Sequence, residues 1–197
     1  MSIAYLLLAA ASVHANTPED VAVQALHNFG KCVVERTPRG ARELLGMDFR
    51  SPEYQKRLHA YATGHDYCIA FDGRLGSSQL LLAGSLAEAL LKSDVRSGEL
   101  PRRLGSDPAR EVIAARSETE AMALCTVLNA PQTTAQIFDT EPATAQELEA
   151  MKPLGTVLGG CLKKDTKLTV NKPALRALLA LAAWRIVNTP KTAAAAQ

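Results

Sequence analysis

Residues 59–68 read HAYATGHDYC and place His59, Tyr61, His65, Asp66, Tyr67 and Cys68 within ten positions. Imidazoles and carboxylates bind metals and carry protons, so the stretch raises two chemistries. The first is metal ligation, which needs three or four ligands converging on one point. His59 and His65 are six apart with Gly64 between them, a spacing that does not bring them to one helical face. His27 is a third ligand if its helix lies alongside. The second chemistry is hydrolysis, with Ser77, Ser78 or Ser85 as nucleophile and His65 and Asp66 as its partners. No G-x-S-x-G, H-E-x-x-H, C-x-x-C or glycine-rich phosphate loop occurs. A carboxylate pair for glycoside cleavage draws on distant positions and leaves no local pattern. Against all of these stands a plainer reading, a polar helix end with a tyrosine or two resting on the core.

An internal register separates these readings. Cys32 and Cys68 are 36 residues apart, as are Cys125 and Cys161, and the second pair follows the first by 93. At that offset, without a gap, Val34 meets Val127, Pro38 meets Pro131, Asp72 meets Asp165 and Leu75 meets Leu168. Leu82, Leu86, Ala87 and Ala89 then meet Leu175, Leu179, Ala180 and Ala182. Two cysteines, a proline and a closing leucine set in one register point to a duplicated unit. A unit copied whole carries its own bridge, so of the three connectivities open to four cysteines we expect Cys32–Cys68 and Cys125–Cys161. Each closes a loop worth about 4 kcal/mol in the chain-entropy model. His59, His65, Asp66, Tyr61 and Tyr67 align with Lys152, Leu158, Gly159, Leu154 and Gly160. The fold therefore does not require the side chains of His59, His65 and Asp66, whereas Cys68 has its twin.

The elements that must position them are helical, since the chain is rich in Ala and Leu and poor in aromatics. We expect an all-α fold of two tandem four-helix-type units, each of about 90 residues with one internal disulfide. First helices start after Thr17-Pro18-Glu19-Asp20 and after Ser106-Asp107-Pro108, and second ones at Thr37-Pro38 and Ala130-Pro131. Third helices open at Ser51 and Thr144, the latter interrupted by Pro153. Short irregular stretches at residues 71–77 and 164–170 lead to fourth helices capped by Ser78 and Asn171. Repeat 1 spans residues 16–95, a polar linker 96–105, repeat 2 106–188, and a disordered tail 189–197.

Residues 1–15 read as a signal peptide, an apolar run ending in a V-x-A cleavage site before Asn16, with no basic residue ahead of it. The run is shorter than the roughly 20 residues a span needs, and no later segment reaches that length. The expected location is periplasmic or secreted, where four cysteines form disulfides. With 22 basic and 20 acidic residues, the balance argues against a nucleic-acid surface. Basic residues gather at Arg36, Arg39 and Arg42, and at Arg96, Arg102, Arg103 and Arg110, either as a patch for acidic partners or lipid head groups or as solvated helix faces.

The pattern of C, P, C and then an L-x-x-x-L-A-x-A helix, over residues 20–187, resembles uncharacterised exported helical proteins of bacteria. The resemblance implies a fold and a compartment and carries no functional residues. The expected function is a non-enzymatic binding module for a protein, peptide or envelope component, with no cofactor and no metal. The alternative is a metal-binding protein or hydrolase using His59, His65 and Asp66.

Overall fold

The computed structural model describes residues 17–69, 76–164 and 169–191. The signal peptide, the Asp72/Asp165 and Leu75/Leu168 matches, most of both irregular stretches and residues 192–197 lie outside them. Ten α-helices make up the described part: α1 (Pro18–Arg36), α2 (Pro38–Gly46), α3 (Pro52–Thr63), α4 (Gln79–Asp94), α5 (Leu100–Leu104), α6 (Glu118–Asn129), α7 (Pro131–Phe138), α8 (Ala145–Met151), α9 (Leu154–Cys161) and α10 (Lys172–Asn188). A 3-10 turn, Asp66–Cys68, follows α3. No strand is present among the described residues, only a single bridge between Arg110 and Lys191. No described helix is long and apolar enough to cross a membrane.

Local chemistry explains most helix starts. The hydroxyls of Ser51, Ser78 and Thr144 accept backbone N–H groups at the starts of α3, α4 and α8, and the Asn171 side chain does the same for α10. Thr17 and Asp20 form a reciprocal capping box on α1. Pro38 and Pro131 open α2 and α7, where a missing N–H has no consequence. Pro153 separates α8 from α9 as its position predicts.

Two close helix crossings set the architecture. A Cβ on Gly30 would lie 2.6 Å from the Ser85 hydroxyl, and one on Gly84 would lie 2.4 Å from the Ala177 Cβ. Small residues thus let α1 approach α4, and α4 approach α10. The closing helices α4 and α10 form the most extensive pairing in the molecule, flanked by α1 on one side and α6 on the other. Leu86, Leu90, Leu179 and Ala183 are fully buried there, in a core that runs without a break from Leu26 to Ile186. The linker is not merely polar. It contains α5, which packs on α7 and α10 and buries Leu104 completely.

The helix expected after Ser106-Asp107-Pro108 starts instead at Glu118, capped by Ser117. Longer-range contacts win over the local signal. The Arg110 guanidinium donates to the carbonyls of Gly105 and Arg103, and the Glu111 N–H donates to the Pro190 carbonyl, holding the intervening segment out of helix.

The disulfides pair Cys32 with Cys68 and Cys125 with Cys161, with Cα separations of 5.7 and 5.6 Å. The first ties α1 to the 3-10 turn and the second ties α6 to α9.

Candidate functional site

The structure divides HAYATGHDYC. His65 sits between two tyrosines, its ring centroid 4.9 Å from Tyr61 and 5.6 Å from Tyr67. Its Nδ1 is 3.1 Å from the Tyr61 carbonyl and its Nε2 3.4 Å from the Thr37 hydroxyl. The Arg36 guanidinium lies over the Tyr67 ring at 4.8 Å, a cation–π contact. The Tyr61 hydroxyl reaches the space a side chain at Gly40 would take, and burial raises its pKa. These contacts tie the ends of α1 and α3 to the start of α2.

His59 and Asp66 do not join that cluster. His59 is exposed on α3, its carbonyl accepting from the Thr63 hydroxyl, and the Asp66 carboxylate accepts the Tyr67 N–H. Among the described residues no group of three His, Cys, Asp or Glu side chains could hold a metal ion, so the expected alternative of metal ligation by His59, His65 and Asp66 has no site there. His27, the proposed third ligand, faces Glu88 at 3.6 Å instead. The serines are engaged elsewhere. Ser78 caps α4, Ser77 donates to the Ser78 carbonyl, and buried Ser85 donates to the Leu82 carbonyl.

Several arginines are likewise engaged. Arg39 pairs with Glu43, Arg42 with Asp94 and Arg102 with Glu99, while Arg103 donates to the Val187 carbonyl.

Two other sites were not singled out by sequence. The first is a buried ion network on α4, α8 and α10. Arg176 has no exposed surface, and its guanidinium makes five hydrogen bonds: two to Glu88 at 2.8 and 2.7 Å, one to Glu147 at 2.9 Å, and two to Thr140, at its hydroxyl and carbonyl. Lys92 adds an ion pair to Glu88 at 2.9 Å. Burial alone would raise the Glu88 carboxyl, but the hydrogen bonds and charge of Arg176 outweigh it and hold the pKa low. Burial lowers the His27 imidazole, against the opposing pull of Glu88. A depression of about 430 Å³ beside this network carries both signs of charge, from Lys31 and Lys92 and from Glu35, Glu88 and Glu141.

The second is an apolar cleft of about 350 Å³, within the range of small-molecule sites. Its lining comes from both halves of the chain, with Leu45 and Tyr54 on α2 and α3, Leu80 and Ala83 on α4, and Leu178, Leu181 and Trp184 on α10. Arg116, Glu120 and Arg185 supply its charge. Glu120 accepts from the Arg116 N–H at 2.6 Å and pairs with the Arg185 guanidinium. Arg116 also donates to the Met47 carbonyl and lies beside Phe49. Burial pushes the Tyr54 hydroxyl up to about 12.

Among the described residues, two buried side-chain polar atoms have no hydrogen-bond partner, Thr134 Oγ1 and Trp184 Nε1. The indole belongs to the cleft. An unpaired buried donor costs about 1–3 kcal/mol.

The network and the cleft are related by position. Moving 93 residues takes Arg176 to Ala83, Glu88 to Leu181, Glu147 to Tyr54, Thr140 to Met47, His27 to Glu120 and Lys92 to Arg185. All six destinations line the cleft. At that offset from Arg176, which reaches across the network, stands the methyl of Ala83.

No family model, curated protein or solved structure matches the chain. Roles for its residues therefore come from geometry alone. A signal for the network was present in the sequence: Arg176 and Glu88 are single charges inside apolar helical runs, LRALLALAA and SLAEALL. Charges at such places are buried only when paired.

Proposed function

We propose that this chain is an exported, disulfide-stapled binding module that acts without catalysis, taking part of a protein, peptide or envelope component into the cleft between its halves. The observation that carries the reading is the cleft itself, a mainly apolar opening lined from both halves of the chain, with the sole tryptophan among its lining residues. Two disulfides suit a periplasmic or secreted location, because such bonds persist in oxidising compartments.

In the same reading the chain is two related units, residues 16–95 and 106–188. Its support is the common register: both bridges close 36-residue separations, and α4 and α10 begin 93 residues apart. The six matched pairs of network and cleft add to it.

Site-specific photocrosslinking in the native compartment tests the binding site. A crosslinker at Leu80, in the cleft, is expected to trap a partner, and one at exposed His59 is not. Adducts at position 59 with none at position 80 would move the site to the HAYATGHDYC face and sink this proposal. Export is tested by N-terminal sequencing of the mature protein, expected to begin at Asn16.

A further inference from the structure

The cleft's chemistry points to a narrower class of occupant. We propose that it takes a small amphipathic anion, an apolar body carrying a carboxylate head. This rests on the cleft being the binding site and goes beyond it in naming the ligand.

Three observations specify the class. Most of the lining, with Leu45, Tyr54, Leu80, Leu178 and Leu181, is apolar, and its uncharged polar side chains are Gln55, Gln79, Ser117 and Thr119. The charged lining residues are two guanidiniums and one carboxylate, so the cleft carries one net positive charge. Both Glu120 oxygens are already taken, by the Arg116 N–H and by the Arg185 guanidinium. Outside it, Asp48 and Arg50 pair with each other. The third observation is that both guanidiniums keep N–H groups beyond those donated to Met47, Glu120 and Ala114. The pattern is a mainly apolar site with one net positive charge and spare guanidinium donors, which matches a ligand bringing its own negatively charged oxygens.

The pairs 93 positions apart support this. A fold that only needed a filled core had a solution at Arg176, where a long side chain spans the space and is paired by Glu88 and Glu147. At Ala83 the space is left apolar and the cation moves to the edge, at Arg116 and Arg185.

Trp184 is the only tryptophan, so its fluorescence reports the site directly in the full chain with both disulfides intact. Dodecanoate, dodecanol and dodecyltrimethylammonium, each below its micelle concentration, form the probe set. We expect a saturable change with dodecanoate, with the carboxylate bound about tenfold more tightly than the alcohol and the cation weakest of the three. Arg116→Gln should bring dodecanoate affinity down to that of dodecanol in the same variant, and Arg116→Lys should retain the preference. Ala83→Leu should weaken all three. Helical circular dichroism and thermal unfolding of each variant establish that a loss is not unfolding. Equal affinity for carboxylate and alcohol in the unaltered chain would overturn the anion assignment while leaving the cleft as an apolar site. No saturable change with any probe would overturn the small-molecule occupant, and the Leu80 crosslink would then stand alone as the test of the broader reading.

Discussion

Where the ion network sets Arg176, Glu88 and Glu147, the cleft sets Ala83, Leu181 and Tyr54, each 93 positions away. On one side a buried cation is held by five hydrogen bonds and two carboxylates; on the other, a methyl group leaves an opening of about 350 Å³. A buried ion network is weak evidence for stability, because desolvating its charges offsets most of their attraction. It is strong evidence for order, since removing one member strands the others. Under the proposed duplication, the difference teaches that one place in the helix framework takes either solution, so the open one is not forced by the fold.

The most severe way to break the comparison is Arg176→Ala. It strands Glu88 and Glu147 in the core, and we expect a loss of about 3–5 kcal/mol in urea unfolding. Replacing all three charges by the residues found at the cleft, with Arg176→Ala, Glu88→Leu and Glu147→Tyr together, should recover most of that loss. A single-variant cost below about 1 kcal/mol would mean that water enters and the charges were never isolated.

A smaller effect is expected at the crossing the two sites share. Gly84→Ala places a methyl 2.4 Å from the Ala177 Cβ and should cost about 1–3 kcal/mol by forcing α4 from α10. An unchanged unfolding midpoint would show that the crossing yields without loss.

The smallest effect separates the sites by pH. Burial holds His27 below its ordinary value of 6.5, so as pH falls through that value the unfolded chain takes up a proton that the folded chain refuses. Stability should therefore decline with falling pH just below 6.5, and His27→Gln should flatten that slope. The Glu88 contribution is separate. Its pKa is held low mainly by Arg176, against burial, so its stabilisation is present above the ordinary carboxylate range and is lost only in stronger acid. A slope unchanged in His27→Gln would assign the titration to another group.

Much of the framework was legible because its causes are local. Ser51, Ser78, Thr144 and Asn171 cap helices by contacts with residues three positions away, and the disulfide pairing followed from a repeated spacing. The start of α6 was misread because Ser106-Asp107-Pro108 carries a local helix signal, while what decides the segment is Pro190, far along the chain. The true start carried its own signal in Ser117 and Glu120. HAYATGHDYC drew attention by residue type, yet His65, Tyr61 and Tyr67 meet as a packing cluster while His59 and Asp66 stay apart from it. The cleft has no reactive residue to notice. Only tertiary packing brings Tyr54, Arg116 and Trp184 together, and periodicity within any one helix is silent about that.

The contact between Gly84 and Ala177 joins two positions that are themselves 93 residues apart. In the proposed duplication these are equivalent positions, and contact between such positions is what happens on the axis of a two-fold symmetric dimer. A dimer of identical chains carries every substitution twice, so a guanidinium introduced on one side of the axis appears on the other. Two such units joined in a single chain are free to diverge, which under the proposed duplication leaves one side closed by charge and the other open.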